Sequence, residues 1–123
     1  MSTLNVSNIS DGTTTVGTSY VVNGSAKAWV NFVGAGTISA RDSFNVASLT
    51  DNGTGDYSVN YTSSMANGNG AVTALSSRDA SASQVGLFQS NVLSANYFRI
   101  NELAVSTFFD PNIVNASLNG DLA

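Results

Sequence analysis

The chain has 123 residues, 42% hydrophobic, which suits one domain built on a single core. Only 10% of residues are charged, the net charge is −4, and the four cations Lys27, Arg41, Arg78 and Arg99 are scattered, which argues against a phosphate-binding surface and against nucleic acid as a partner. There is no His and no Cys, which excludes a disulfide framework, a thiolate zinc site and the commonest general base, and no apolar run approaches the roughly 20 residues that would make a membrane a partner.

With so little Glu, Lys and Arg, the polar surface has to come from Ser, Thr, Asn and Gly. These residues suit turns and the solvent faces of sheets and fill exposed helix positions poorly, so the expected fold class is all-β. The start MSTLNV lacks the basic and apolar regions of a signal peptide.

In chain order, residues 1–24 read as a leading segment. Leu4, Val6 and Ile9 suggest a short strand, Asp11-Gly12 a turn, and residues 13–16 the return of a hairpin. Residues 20–22 form a short apolar run ended by Asn23-Gly24. The segment has too few large apolar residues for a core of its own. It is expected to be either a leading hairpin packed on the main domain or an N-terminal arm that touches a neighbour.

Residues 26–62 organise the rest. Ala28, Val30 and Phe32 alternate against Trp29, Asn31 and Val33, and Tyr57, Val59 and Tyr61 alternate against Ser58, Asn60 and Thr62. Each segment therefore reads as a half-buried strand. Between them, residues 37–40 and 43–49 suggest two further strands. Residues 50–56, Thr-Asp-Asn-Gly-Thr-Gly-Asp, favour positive φ and predict a hairpin loop. Residues 67–70 form a second loop, 71–75 a strand of small residues, and 76–83 a weakly patterned stretch where a short helix is most plausible. Strands are then predicted over 84–89, 92–100, 103–109 and, after the turn Asp110-Pro111, over 113–118. About nine strands with turn signals at this spacing predict an antiparallel β-sandwich, jelly-roll-like, over residues 25–123, with residues 1–24 as the arm or leading hairpin.

Chemistry is sparse. A nucleophile or metal site without His or Cys would depend on carboxylates, and most of these sit in predicted turns where Asp bonds nearby backbone amides. No catalytic residue, cofactor or metal ligand is assigned, and no enzyme activity is expected. Asp51, Asn52 and Asp56 share a loop, yet their spacing does not match a calcium-binding loop. A hydrolase built on Asp51 and Asp56 would have to be demonstrated by release of reducing sugar. The aromatic residues Trp29, Tyr57, Tyr61, Tyr97 and Phe98 are the candidates for a subunit interface or a ligand contact, against the plainer reading that they fill the core. Trp29, in the densest apolar strand, is expected to be buried in the core or between subunits.

The run Ala26-Lys27-Ala28-Trp29-Val30-Asn31-Phe32, then Gly36-Thr37, Arg41, Ser43-Phe44-Asn45-Val46 and Thr50-Asp51-Asn52-Gly53-Thr54-Gly55-Asp56-Tyr57, resembles a family of bacteriophage structural proteins, frequent in phages of cyanobacteria and usually labelled tail-fibre or virion structural proteins. The opening Ser2-Thr3-Leu4-Asn5-Val6 and the ending from Phe108-Phe109-Asp110-Pro111 to Gly120-Asp121-Leu122-Ala123 are similar to the same group. Family members often carry Pro after the position of Met65, where this chain has Ala66. The resemblance implies a structural protein made in the host cytoplasm and placed on the virion exterior. A compact domain with a short arm suits a capsid decoration, or cement, protein assembling as a homotrimer and contacting the major capsid protein or other virion proteins. The alternative it implies is a tail-fibre or receptor-binding module that contacts a host surface glycan.

Overall fold

The computed structural model describes residues 1–78, 85–103 and 108–123. Among these the chain forms ten strands and one short helix, and every strand pairing is antiparallel. The leading elements are β1 (Asn8–Ser10), β2 (Thr15–Gly17) and α1 (Thr18–Gly24). The main sheet has eight strands: β3 (Ala28–Val33), β4 (Ser39–Phe44), β5 (Val46–Gly53), β6 (Asp56–Tyr61), β7 (Ala71–Ser77), β8 (Val85–Leu93), β9 (Tyr97–Leu103) and β10 (Ile113–Asn119). Their order is β4-β3-β10-β7-β8-β9-β6-β5. The meander β7-β8-β9 has β10 beside its first strand and β6 beside its last, so two Greek keys share one meander.

The expected all-β class is what the chain adopts, as one continuous sheet rolled on itself until it nearly closes. The alternation read from the sequence does the rolling. Ala28, Val30 and Phe32 of β3, Tyr57, Val59 and Tyr61 of β6, Phe98 and Ile100 of β9, and Val114, Ala116 and Leu118 of β10 all point inward and are buried. Phe32 meets the edge of Tyr57 at 5.2 Å between ring centres, and Tyr61 lies 6.0 Å from Phe98. Phe32 and Tyr57 lie on strands far apart in the sheet order, so their contact crosses the interior and buries the apolar faces against one another, whereas Tyr61 and Phe98 lie on the neighbouring strands β6 and β9.

The two edges of the sheet, β4 and β5, are joined by one residue. Asn45 has φ 55°, a left-handed conformation that Asn tolerates better than most side chains. Its side chain secures the corner. Nδ2 donates to the carbonyls of Lys27 (2.9 Å) and Ser63 (3.0 Å), and Oδ1 accepts from the Ser63 amide at 2.6 Å. β4 and β5 are neighbours through this corner without pairing as strands, so a seam runs between them, bordered by Ile38, Val46 and Leu49.

One end of the barrel is plugged by residues 108–112. Pro111 is fully buried, and its carbonyl accepts the amides of Gly34 (2.9 Å) and Ala35 (3.1 Å). Asp110 Oδ1 accepts from the Gly55 amide (2.8 Å) and from the Tyr57 hydroxyl (2.9 Å). Gly34 is required here, because a Cβ would lie 2.4 Å from Tyr57 Oη. At the opposite end, Met65 bridges to Leu122.

Several boundaries differ from the expectation. The strand predicted over 43–49 is divided at Asn45 into the end of β4 and the start of β5, on opposite edges of the sheet. The segment 92–100 is the end of β8, a turn held by Ser94, and β9; the Ser94 amide donates to the Tyr97 carbonyl at 2.9 Å. The helix appears at Thr18–Gly24, over the short apolar run at residues 20–22, where no helix was expected. The alternative helix over 76–83 is strand at Ser76 and Ser77, and the remainder of that prediction reaches into residues outside the described set. The strand predicted over 103–109 likewise falls largely on residues 104–107, outside the described set.

Candidate interaction surface

Of the five aromatic candidates, the structure brings three into the core. Tyr57 and Phe98 are fully buried and Tyr61 nearly so, so none of them faces a partner or a ligand. The reason is phase. Tyr57 and Tyr61 lie on the same face of β6 as Val59, and Phe98 shares a face with Ile100. Burial pushes the Tyr61 hydroxyl up to about 12. Burial, reinforced by the hydrogen bond to Asp110, pushes Tyr57 higher still. Tyr97 is half-buried.

Trp29 lies on the outer face of β3 and is 37% exposed, so within the chain it is no core residue. It pairs across the ladder with Phe44 of β4, itself 54% exposed. On the other side it pairs with Ser117, and Ser117 with Thr73. Two residues along, the next outward row runs Asn31, Asn115, Leu75, Leu87, Leu103 across β3, β10, β7, β8 and β9. Leu75, Leu87 and Leu103 are therefore side by side on three adjacent strands, each about half exposed. Between Trp29 and Leu75 the small side chains Thr73 and Ser117 leave a shallow groove with a largely apolar floor. No leucine of this row was a sequence candidate. Their strands are adjacent only in space, and the signal is a register match that no single strand carries.

The outer face of β9-β6-β5 is of a different kind. Arg99 forms an ion pair with Asp56, its Nε donating to Oδ1 at 2.7 Å. The guanidinium holds the Asp56 carboxyl below its ordinary value, and Asp56 raises Arg99 in turn. Asn52 Nδ2 donates to Ser58 Oγ (2.8 Å), and Asn60 Nδ2 to Ser48 Oγ (3.1 Å) and Thr50 Oγ1 (3.2 Å). The polar groups of this half are spent on one another.

The acids grouped in the 50–56 loop do not converge. Asp51 Oδ1 accepts the Gly53 amide (2.9 Å) within its own turn, Asn52 turns to Ser58, and Asp56 turns to Arg99. Asp11 similarly closes the first hairpin, accepting the amides of Thr13 (2.9 Å) and Thr14 (2.7 Å), and these bonds lower its carboxyl. Inside the barrel, Glu102 Oε2 accepts the Phe109 amide at 2.9 Å.

The leading elements form a second surface. Ile9 pairs with Val16, and the Thr18 amide and hydroxyl bind the Ser7 and Val6 carbonyls at 2.9 Å each, so hairpin and helix are one unit. They make no more than glancing contact with the strands of the main sheet. No residue of α1 is buried, and Tyr20, Val21 and Val22 are all exposed, as are Leu4 and Ile9. The unit is rooted by Asn119 Nδ2, which donates to the Gly24 carbonyl (3.0 Å), and by the Lys27 amide, which donates to Leu118 (2.7 Å).

Comparison with family models, with curated proteins and with solved structures returned no match.

Proposed function

We propose that the chain is a non-enzymatic structural protein of a bacteriophage particle, carried on its exterior as a capsid decoration protein and assembled as a homotrimer. The observation that carries this reading is the unmet apolar surface. A chain of 123 residues leaves Trp29, Phe44 and a row of three leucines exposed on its barrel, and a preformed apolar arm exposed beside it. Contiguous apolar surface rimmed by polar residues marks a site where another protein docks. The residues that carry the resemblance to phage structural proteins are those that build β3, the Asn45 corner and the β5–β6 hairpin, and they support the same reading.

The test is the copy number of this protein in purified particles, measured by quantitative mass spectrometry against the major capsid protein. A ratio near one, or another large fixed fraction, is expected. A far lower ratio would move the protein to a tail appendage, where the receptor- or glycan-binding alternative belongs. Absence from the particle would overturn the virion reading.

A further inference from the structure

We propose that the arm, residues 1–24, of one copy covers the apolar outer half of the sheet of a second copy. The proposal deepens the homotrimer reading and rests on it, since a contact between unlike patches closes into a three-membered ring when each copy is rotated by about 120° from the last.

The argument begins with what the chain leaves unsatisfied. Among the described residues the arm makes only glancing contact with the strands of the barrel, and its apolar side chains, Tyr20, Val21 and Val22 among them, are exposed. The barrel carries a matching deficit in the groove between Trp29 and Leu75. Charge agrees. The arm holds a single charged side chain, Asp11, which is engaged in its own turn. The outward rows Phe44-Trp29-Ser117-Thr73 and Asn31-Asn115-Leu75-Leu87-Leu103 hold none. Charge borders the patch only at β4, where Asp42 lies opposite Asn31 and Arg41 donates to Asn31 Oδ1. Across the two rows themselves neutral meets neutral, and no ion within them is desolvated when they join. A strongly charged partner would leave its charges unpaired here.

Area points the same way. From β4 to β9 the patch crosses five strand spacings, about 24 Å, and two rows of side chains extend about 14 Å along the strands, a footprint of about 350 Å². A stable interface needs about 800 Å² per partner. The face alone falls short by roughly half. In a ring each copy makes two such contacts, its face on one neighbour and its arm on the other, so the buried area per copy doubles while the area of each contact stays the same.

The test uses the full chain, which has no native cysteine to confuse it. Two single variants, Val22→Cys and Leu75→Cys, each at an exposed position, are mixed, exchanged and oxidised. A cross-linked heterodimer as the dominant product is expected. Unmodified protein should be oligomeric by light scattering, and Tyr20→Asp with Val22→Asp should release monomers whose Trp29 emission shifts to the red while far-ultraviolet circular dichroism is unchanged. An intramolecular disulfide in a chain carrying both Val22→Cys and Leu75→Cys, with no heterodimer in the mixture of the single variants, would place the arm on its own barrel and overturn the proposal. Like-with-like cross-links alone, or a monomeric unmodified protein, would overturn it too. A monomer in solution together with a particle copy number near one would end the arm contact and leave the virion reading standing. Absence from the particle with the heterodimer present would do the reverse.

Discussion

The outer face of the sheet divides into two halves that handle water differently. On β9-β6-β5, Arg99, Asp56, Asn52, Ser58 and Asn60 bond one another, so this half is complete without a neighbour. On β4-β3-β10-β7-β8, and as far as Leu103, Phe44, Trp29 and the leucine row stand among small side chains, the amides Asn31 and Asn115 and, at the β4 rim, Asp42, and they remain exposed among the described residues. The inner faces of both halves pack the same core, so the contrast is not one of folding. One half satisfies its own polar groups, and the other leaves the apolar surface on which the proposed contact would be made.

The comparison can be broken at four points. The largest effect is expected from Gly55→Val, in the hairpin of the polar half. Gly55 has φ +68°, and a Cβ there would stand 3.0 Å from Glu102 Cβ, so strain and overpacking add to a loss of about 3 kcal/mol or more. Thermal unfolding should show a midpoint lower by about 10 °C. Next comes Gly86→Ala, beneath the leucine row, where the new methyl would lie 2.0 Å from Ser76 Oγ and 2.7 Å from Glu102 Oε1. Denaturant unfolding should report about 2 kcal/mol lost.

Asp56→Asn tests the polar lattice, with an expected loss of about 1 kcal/mol at neutral pH. The Asp56 carboxyl titrates lower in the folded chain than its ordinary 3.8, so its contribution is complete above that value and is lost as the pH falls through the folded pKa. The gap between the parent and the variant should therefore close in acid. A gap independent of pH would remove the ion pair from the account of this half. The smallest effect is expected on the apolar half. Leu75→Ser with Leu103→Ser, both about half exposed, should change the stability of the isolated monomer by no more than about 0.5 kcal/mol per site while weakening association. A loss as large as that of Gly86→Ala would mean that these leucines serve the fold.

Much of the barrel was legible in period-two patterns. The inward sets Ala28-Val30-Phe32 and Tyr57-Val59-Tyr61 and the hairpin at residues 50–56 are local features, and the local sequence is sufficient to show them. The Asn45 corner was not legible, because one left-handed residue leaves no mark on the alternation around it. The turn at Ser94 was hidden by the apolar residues on either side, which read as one strand. The candidate surface was legible only at Trp29. Tyr57, Tyr61 and Phe98 were equally aromatic, and only their phase relative to the rolled sheet decided that they face inward. The leucine row depends on register between strands, which is a property of the assembled ladder.

The position of β10 sets an order in time. β3, the first strand with a strong apolar face, pairs directly with β10, the last, so that Asn31 lies opposite Asn115. Until β10 emerges from the ribosome, the edge of β3 has no ladder partner there and the barrel stays open along that side. Contacts this distant in sequence fold slowly. The arm, by contrast, precedes β3 in the chain and closes on local pairs alone. Synthesis thus presents the arm before the surface proposed to bind it is complete, since that surface needs β10 seated between β3 and β7.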